Sequence, residues 1–145
     1  MIEKLDKNNL NGLLSLWKEY QCFYKVQDID DEKNREHVTH ILNNSKAGEI
    51  FVYTIDNQEV GFATLYYTFA STISSKIAIL NDIYVTEECR GKGIGKKLLD
   101  YVICHCKESD VESLRWMTQE SNTSAQLLYK NYVKPSSWLS YVVKV

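Results

Sequence analysis

Proline is almost missing from this sequence, and that scarcity leaves nothing to act as a linker. Pro135, near the C-terminus, is the only one in 145 residues, and no repeat or low-complexity tract interrupts the chain. Residues 1–145 are therefore expected to form a single domain, long enough for a real core and too short for two. Long apolar runs are also absent, which argues against a bilayer span or any other membrane partner. The N-terminus, Met1-Ile2-Glu3-Lys4-Leu5-Asp6-Lys7, is polar and has no signal-like apolar core, so a cytoplasmic location is expected. The cysteines, Cys22, Cys89, Cys104 and Cys106, contain no C-x-x-C pair. Cys104 and Cys106 point in different directions on a helix, so reduced thiols are expected. His37 and His40 share a helix face but lack a third ligand, so no metal site is expected. Excess charge of one sign is missing too. A net charge of −2 and a pI near 5.9 supply no broad basic surface for nucleic acid.

What is present reads as a folded α/β domain. Hydrophobic residues make up 44% and charged residues 25%, the balance of a globular chain rather than a disordered one. Asn8 or Asn9 is placed to cap a helix whose apolar stripe runs Leu10, Leu13, Leu14 and Trp17 towards Tyr20 and Tyr24. The acidic stretch Asp28-Ile29-Asp30-Asp31-Glu32 leads to a second helix ending near Leu42. Ile50 to Ile55 and Val60 to Phe69 read as a hairpin around Asp56-Asn57, and Lys76 to Val85 as the next strand. A helix follows with apolar positions Ile94, Leu98, Leu99, Val102, Ile103 and Cys106. The remainder reads as a strand at Leu114 to Thr118, a helix from Ser121 to Tyr132, and a closing strand from Trp138 to Val145. These elements build a mixed sheet with helices on its faces.

The most informative stretch is Arg90-Gly91-Lys92-Gly93-Ile94-Gly95, between a strand and a helix. Its glycines let the backbone turn tightly and approach a ligand with no Cβ in the way. The N–H groups of the first helical turn then face outward, and the helix dipole favours an anion there. Arg90, Lys92, Lys96 and Lys97 crowd the same helix start, where cations are normally unfavourable. A bound anion offsets that cost; the bland alternative is a basic surface patch. Walker A chemistry is excluded because Gly95-Lys96 is followed by Lys97 rather than Ser or Thr. A dinucleotide fingerprint is excluded because the turn comes too late in the chain for the fold that uses it.

Leu80-Asn81-Asp82-Ile83-Tyr84-Val85-Thr86-Glu87-Glu88-Cys89 and the turn after it resemble motif A of the GNAT N-acetyltransferases, Arg/Gln-x-x-Gly-x-Gly/Ala after a strand ending in Val. Downstream, Arg115-Trp116-Met117-Thr118, Glu120-Ser121-Asn122 and Ala125-Gln126-Leu127-Leu128-Tyr129 resemble motif B of the same family. Gly61-Phe62-Ala63 and the helix carrying Trp17, Tyr20, Phe23 and Tyr24 are similar to the diamine and Hpa-type histone/amino-acid acetyltransferases. The resemblance covers nearly the whole chain. It implies a single mixed, mostly antiparallel twisted sheet of about six strands, with helices on both faces. Its fourth and fifth strands would splay around the cofactor, acetyl-CoA.

On that resemblance, backbone groups of Ile83, Tyr84 and Val85 pair with the pantetheine arm. Backbone N–H groups from Arg90 through Gly91, Lys92, Gly93, Ile94, Gly95 and Lys96 hold the pyrophosphate. Asn122 and Ala125 line the other wall of the slot. The implied reaction is attack of a neutral amine on the thioester, with an oxyanion near the Val85 N–H and a departing thiolate. Tyr129 matches the family's general acid. Its alternative role is core, since Ala125, Leu128, Tyr129 and Tyr132 also form a helical stripe. Asp82 is the candidate base, because amines are mostly protonated at neutral pH. It stands in an Asn81-Asp82 pair where diamine acetyltransferases carry Glu-Asp, and a structural role is the alternative. Strand alternation places Asp82 on one face with Leu80 and Tyr84.

The acceptor side is expected near the first helices. Tyr20, Phe23, Tyr24 and the acidic Asp28, Asp30, Asp31 and Glu32 are set either to receive a cationic amine or to form a core stripe beside a solvated helix start. Three functions stay open: acetylation of a small amine such as a polyamine or amino acid, acetylation of a peptide or protein amine, and noncatalytic acyl-CoA binding. The resemblance also implies a homodimer. Two departures stand out. Cys89 replaces the usual aromatic before Arg90, and Val133 replaces the glycine after the motif B helix, so that helix is expected to end differently.

Overall fold

The computed structural model describes residues 1–145. Its elements are β1 (Ile2–Lys4), α1 (Leu10–Phe23), α2 (Asp31–Leu42), β2 (Gly48–Ile55), β3 (Gln58–Ala70), β4 (Ser75–Val85), α3 (Ile94–Glu108), β5 (Leu114–Trp116) and α4 (Thr123–Tyr129), with a 3₁₀ turn at Glu87–Cys89. The strands form one five-stranded open sheet in sequence order. The β1–β2, β2–β3 and β3–β4 joins are antiparallel, and only β4–β5 is parallel. No helix is long and apolar enough to cross a membrane.

Two apolar clusters sandwich the sheet. On one face α1 and α2 bury Leu13, Leu16, Trp17, Val38 and Ile41 against Ile50, Val52, Phe62 and Tyr84. On the other, α3 buries Ile94, Leu98, Leu99 and Val102 against Phe51, Ala63, Leu65, Ala78 and Leu80. Each large side chain fully buried here contributes about 1.5–3 kcal/mol. The α1 cap is unusual: Asn9 precedes the helix, yet its side chain turns back to accept from Asp6 N–H. Asp30 caps α2 directly, accepting from the N–H groups of Glu32 and Lys33.

Four differences from the sequence expectations matter. A short strand at Ile2–Lys4 pairs with β2, where a three-residue segment offered no period to read. The expected strand at Trp138–Val145 does not join the sheet; those residues are extended and exposed, so the strand count is five. The last helix is shorter than expected, Thr123–Tyr129, and the chain leaves it through a turn at Lys130–Tyr132. Finally, the β3–β4 register jumps: Thr64 pairs with Asp82 but Leu65 pairs with Leu80, which makes Asn81 an extra residue in β4. Such a bulge resets the alternation. Leu80 therefore sits in the α3-side core with Ala78, while Tyr84 faces the α1 side and Asp82 reaches α1 through its bond from Tyr20. The expectation that Leu80 shares a face with Asp82 and Tyr84 is corrected by this one inserted residue.

A polar tie holds the strands to α3 from the far end. Glu49 on β2 takes an ion pair from Lys4 on β1, a hydrogen bond from Tyr67 on β3, and contacts His105 Nε2 on α3 at 2.8 Å. Burial opposes the charge on Glu49, but these donors outweigh it and hold its carboxyl below the ordinary carboxylate range. A depressed carboxyl contributes stability above its unfolded value of about 4.3 and loses it as pH falls through the folded value. Denaturant melts of the wild type are expected to lose stability on acidification below about pH 4.3, and Glu49→Gln to show a flatter acid limb. An unchanged acid limb in the variant removes Glu49 from the account.

Candidate active site

The glycine turn adopts the conformation its composition demands. Gly91 and Gly93 have φ of 74° and 77°, and a Cβ on either meets no protein atom within 4 Å. Space is therefore free on the outer side of the turn, while the backbone there is one that L residues resist. Arg90 N–H is bonded to Glu87 O, and Lys97 N–H to Gly93 O at the helix start. Between them, the N–H groups of Gly91 to Lys96 have no protein acceptor. They form an outward-facing donor run at the positive end of α3. Ile94 contributes only backbone to this turn, because its side chain is in the core.

The cations are distributed unevenly. Lys96 pairs with Asp100 at 2.6 Å, and Lys97 leans on the Tyr53 ring. Arg90 donates from Nε to Val85 O at 3.0 Å and lays its guanidinium over the rings of Phe23 and Tyr84. Lys92 is exposed and takes no protein partner. The basic cluster is thus partly structural, and Arg90 locks the end of β4 to α1.

Strand β5 follows β4 only from Ala78 to Leu80, the partner of Trp116. Beyond that point β4 runs on to Val85 with β3 on one side and no strand on the other. A cleft opens at this parting. Asn81, Asp82 and Ile83 form one wall, Met117 and Thr118 after β5 another, and Tyr20 of α1 with Tyr24 just past its end the roof. Asn122, Ala125 and Tyr129 of α4 close the far side. Residues assigned separately to acid, base, cofactor and acceptor roles thus border one small space. Val85 lies farther along the same strand towards the glycine turn, and Tyr84 turns its side chain away into the α1-side core.

Asp82 is the electrostatic centre of the cleft. It is 6% exposed, accepts from the Tyr20 hydroxyl on Oδ1 and from Asn81 Nδ2 on Oδ2 at 3.0 Å, and has no cationic partner. Buried carboxyl groups normally come with a compensating charge. Burial and the neighbouring Asp82 push the Tyr20 phenol well above the usual tyrosine range, so Tyr20 serves as a fixed donor. Tyr66, pushed up to about 12 by burial and by Asp82, bonds His37 Nε2 at 2.8 Å. Thr64 lies opposite Asp82 in the register, and its buried hydroxyl has no protein partner. The acidic stretch stays out of the cleft: Asp30 caps α2 and Asp31 pairs with Lys18.

Tyr129 is both a core residue and a wall of the cleft. Its ring meets Trp116 edge-on at 5.5 Å and packs on the α3-side core, while the residue also lines the cleft. Burial, then the nearby Tyr24, pushes its phenol up to about 12, so it keeps its proton at neutral pH. Asn122 caps α4 by accepting from Ala125 N–H at 3.2 Å. Sequence reasoning missed Asn81, Thr64, Met117 and Thr118. Asn81 was visible as a polar residue in an apolar strand, and Met117 and Thr118 lie in the motif B resemblance without a role assigned to them, while Thr64 carries no signal of its own.

These features share a topology with known proteins. The profile of the acetyltransferase (GNAT) family matches residues 13–132. The chain belongs to that family. It is 33% identical over 129 residues to the D-amino-acid N-acetyltransferase HPA3 of Saccharomyces cerevisiae, covering 88% of this chain and 78% of that protein. A crystal structure of a probable acetyltransferase superposes with a TM-score of 0.88 at 26% identity, covering 100% of this chain and 97% of that one. A predicted acetyltransferase with acetyl-CoA, from Clostridium acetobutylicum, shares the fold at TM-score 0.79 and 19% identity, covering 98% and 95%. The parted strands and the glycine turn of this chain are accordingly those of a GNAT acetyltransferase. Gly93→Val forces a branched residue into the left-handed region and is expected to lower unfolding stability by about 1–2 kcal/mol. Unchanged urea unfolding argues that the turn relaxes to another backbone conformation.

Proposed function

We propose that this acetyltransferase moves an acetyl group from acetyl-CoA to a small primary amine held at Asp82. The observation that carries the proposal is a buried carboxyl with two hydrogen-bond donors and no cation, placed at the open edge of β4. The substrate ammonium is the missing counter-charge, and Asp82 then accepts its proton as the amine becomes nucleophilic. The cleft is walled by β4, α1, the segment after β5 and α4, and this enclosure favours a small acceptor over a peptide. The 33% identical relative is named for D-amino acids, which supports amino acids among the candidates. No Lys or Arg lines the cleft, and that favours polyamines and other simple amines.

The fit to the donor rests on this chain's backbone. The free N–H run of Gly91 to Lys96, with open space outside Gly91 and Gly93, suits a pyrophosphate. The edge from Ile83 to Val85 carries no second strand, with Val85 O taken by Arg90, and its remaining groups suit an amide-bearing arm, with Asn122 and Ala125 across the cleft. When bound, acetyl-CoA supplies the activated acetyl thioester. Tyr129, protonated at neutral pH, supplies a proton for the leaving sulfur. Tyr20 and Asn81 fix the orientation of Asp82, while Tyr24 covers the acceptor side. We place the reaction in the cytoplasm.

Thiol release with acetyl-CoA is to be measured on spermidine, lysine, D-amino acids and a histone-tail peptide. Turnover is expected on one or more small amines and not on the peptide; peptide-only turnover assigns the enzyme to protein acetylation. Stabilisation by acetyl-CoA with no turnover on any amine makes the chain a cofactor-binding module. Tyr129→Phe is expected to lower kcat by about 10²-fold or more with the acetyl-CoA-induced Tm shift retained. Wild-type kcat in that variant removes Tyr129 as the acid. Asp82→Asn is expected to depress kcat/KM for the amine with the acetyl-CoA-induced Tm shift retained, and an unaltered kcat/KM transfers the base role elsewhere.

A further inference from the structure

A base that takes the proton of an ammonium acceptor must lose it again before the next turnover. Asp82 is 6% exposed, and its open side is the cleft that acceptor and donor fill during the reaction. An exit is therefore needed behind the carboxyl, in the layer between the sheet and the first two helices.

That layer is apolar except along one row. On β3, Ala63 and Leu65 belong to the α3-side core while Phe62 and Tyr66 pack on the α1 side, so alternation puts Thr64 on the α1 side between the latter two. Thr64 stands opposite Asp82 in the register, is 0% exposed, and its hydroxyl has no hydrogen-bond partner. Such a hydroxyl is costly in an apolar layer, and a bound water bridging it to polar neighbours offsets the cost.

Tyr66, next on the same face, is half-buried, and its hydroxyl lies 2.8 Å from His37 Nε2. The charge of Asp82 bears on this phenol as it does on Tyr20. The Tyr66 ring lies over Gly48, its partner in the β2–β3 register, where a Cβ would come within 2.9 Å of Cδ1. His37 is exposed on α2, and its ring is tilted against Trp17 of α1 at a centroid distance of 5.7 Å. The row runs from a buried carboxyl through two hydroxyls to an imidazole in solvent.

We infer that Thr64, Tyr66 and His37 form a proton exit from Asp82 to solvent, completed by one water bound at the Thr64 hydroxyl. The inference rests on the reading of Asp82 as the base. One proton enters the row and one leaves it. The protonated carboxyl gives its proton to the water, which passes one of its own to the Tyr66 oxygen. The Tyr66 hydroxyl proton moves to His37 Nε2, and the imidazolium loses its other ring proton to buffer. Tyr66, its phenol pushed up to about 12, stays neutral by gaining one proton as it gives another. Imidazole both takes and gives a proton near neutral pH, which suits the residue at the surface. Exchange with solvent restores the starting tautomer of His37.

The test is thiol release at fixed neutral pH with acetyl-CoA and the amine of highest kcat/KM, in dilute and in concentrated imidazole, with the enzyme-free rate subtracted. In dilute buffer His37→Ala is expected to lower kcat by roughly 10-fold, less than the roughly 10²-fold for loss of a direct acid or base. Concentrated imidazole is expected to restore it, with KM for acetyl-CoA unchanged. Tyr66→Phe is expected to lose as much and not to be restored, because that interruption is buried. His40→Ala, on the same helix, is expected to match the wild type. Wild-type kcat for His37→Ala or Tyr66→Phe in dilute buffer overturns the inference, since the proton then leaves by the cleft with the product. So does a loss in His37→Ala that imidazole fails to restore, which makes the histidine structural. Where Asp82→Asn lowers kcat/KM and His37→Ala leaves kcat intact, only the exit fails; no wild-type turnover on any amine removes the base reading and the exit together.

Discussion

Everything at the candidate active site depends on β4 losing one neighbour while keeping the other. Up to Leu80 it is held on both sides, and beyond Leu80 only by β3. The backbone of a strand held on one edge is rigid yet has unused hydrogen-bonding groups, which are costly to bury without a partner. Opening the sheet there also prevents α4 from packing fully onto it. Tyr129, Asn122 and Ala125 are left across a gap that a continuous sheet would have closed. The glycine turn extends the same logic past the strand end, where donors again face outward without acceptors.

The bulge at Asn81 adds the chemistry to that opening. Without the extra residue, Asp82 would fall in phase with Leu80 and point into the apolar layer under α3. With it, Asp82 meets Tyr20 from α1 and gains a second donor from Asn81 itself. A carboxyl buried with donors and no counter-charge is destabilising in isolation. The remainder of the sheet tolerates it because two apolar layers and the Glu49 tie hold β2, β3 and α3 together elsewhere. The division is spatial: apolar cohesion along the length of the sheet, unsatisfied polarity at the parting.

Much of this was readable before any coordinates. The helices α1 and α3, the β2–β3 hairpin and the long β4 follow from period and turn chemistry, and the glycine turn from composition and misplaced charge. The motif A and motif B resemblance reached the residues that border the cleft. Other features were not readable, for physical reasons. Strand β4 is covered on both faces, so its near-continuous apolar run carries no phase, and a one-residue slip leaves no trace in the pattern. Strand β1 is too short to show a period. The acidic stretch offered charge, which alone does not distinguish a helix cap from a binding surface.

The C-terminus draws the line most clearly. The sequence by itself determined that residues 138–145 have strand character, that Arg90 to Gly95 turns sharply before a helix, and that a lone carboxyl interrupts an apolar strand. These are local properties, set by side-chain shape, backbone freedom and neighbours along the chain. Only the tertiary structure decided which face Asp82 occupies, that Tyr20 orients it, and that β5 keeps an open edge with no strand of its own chain upon it. Those outcomes depend on register and pairing between segments far apart in sequence, and pairing is chosen by the whole sheet rather than by any strand within it.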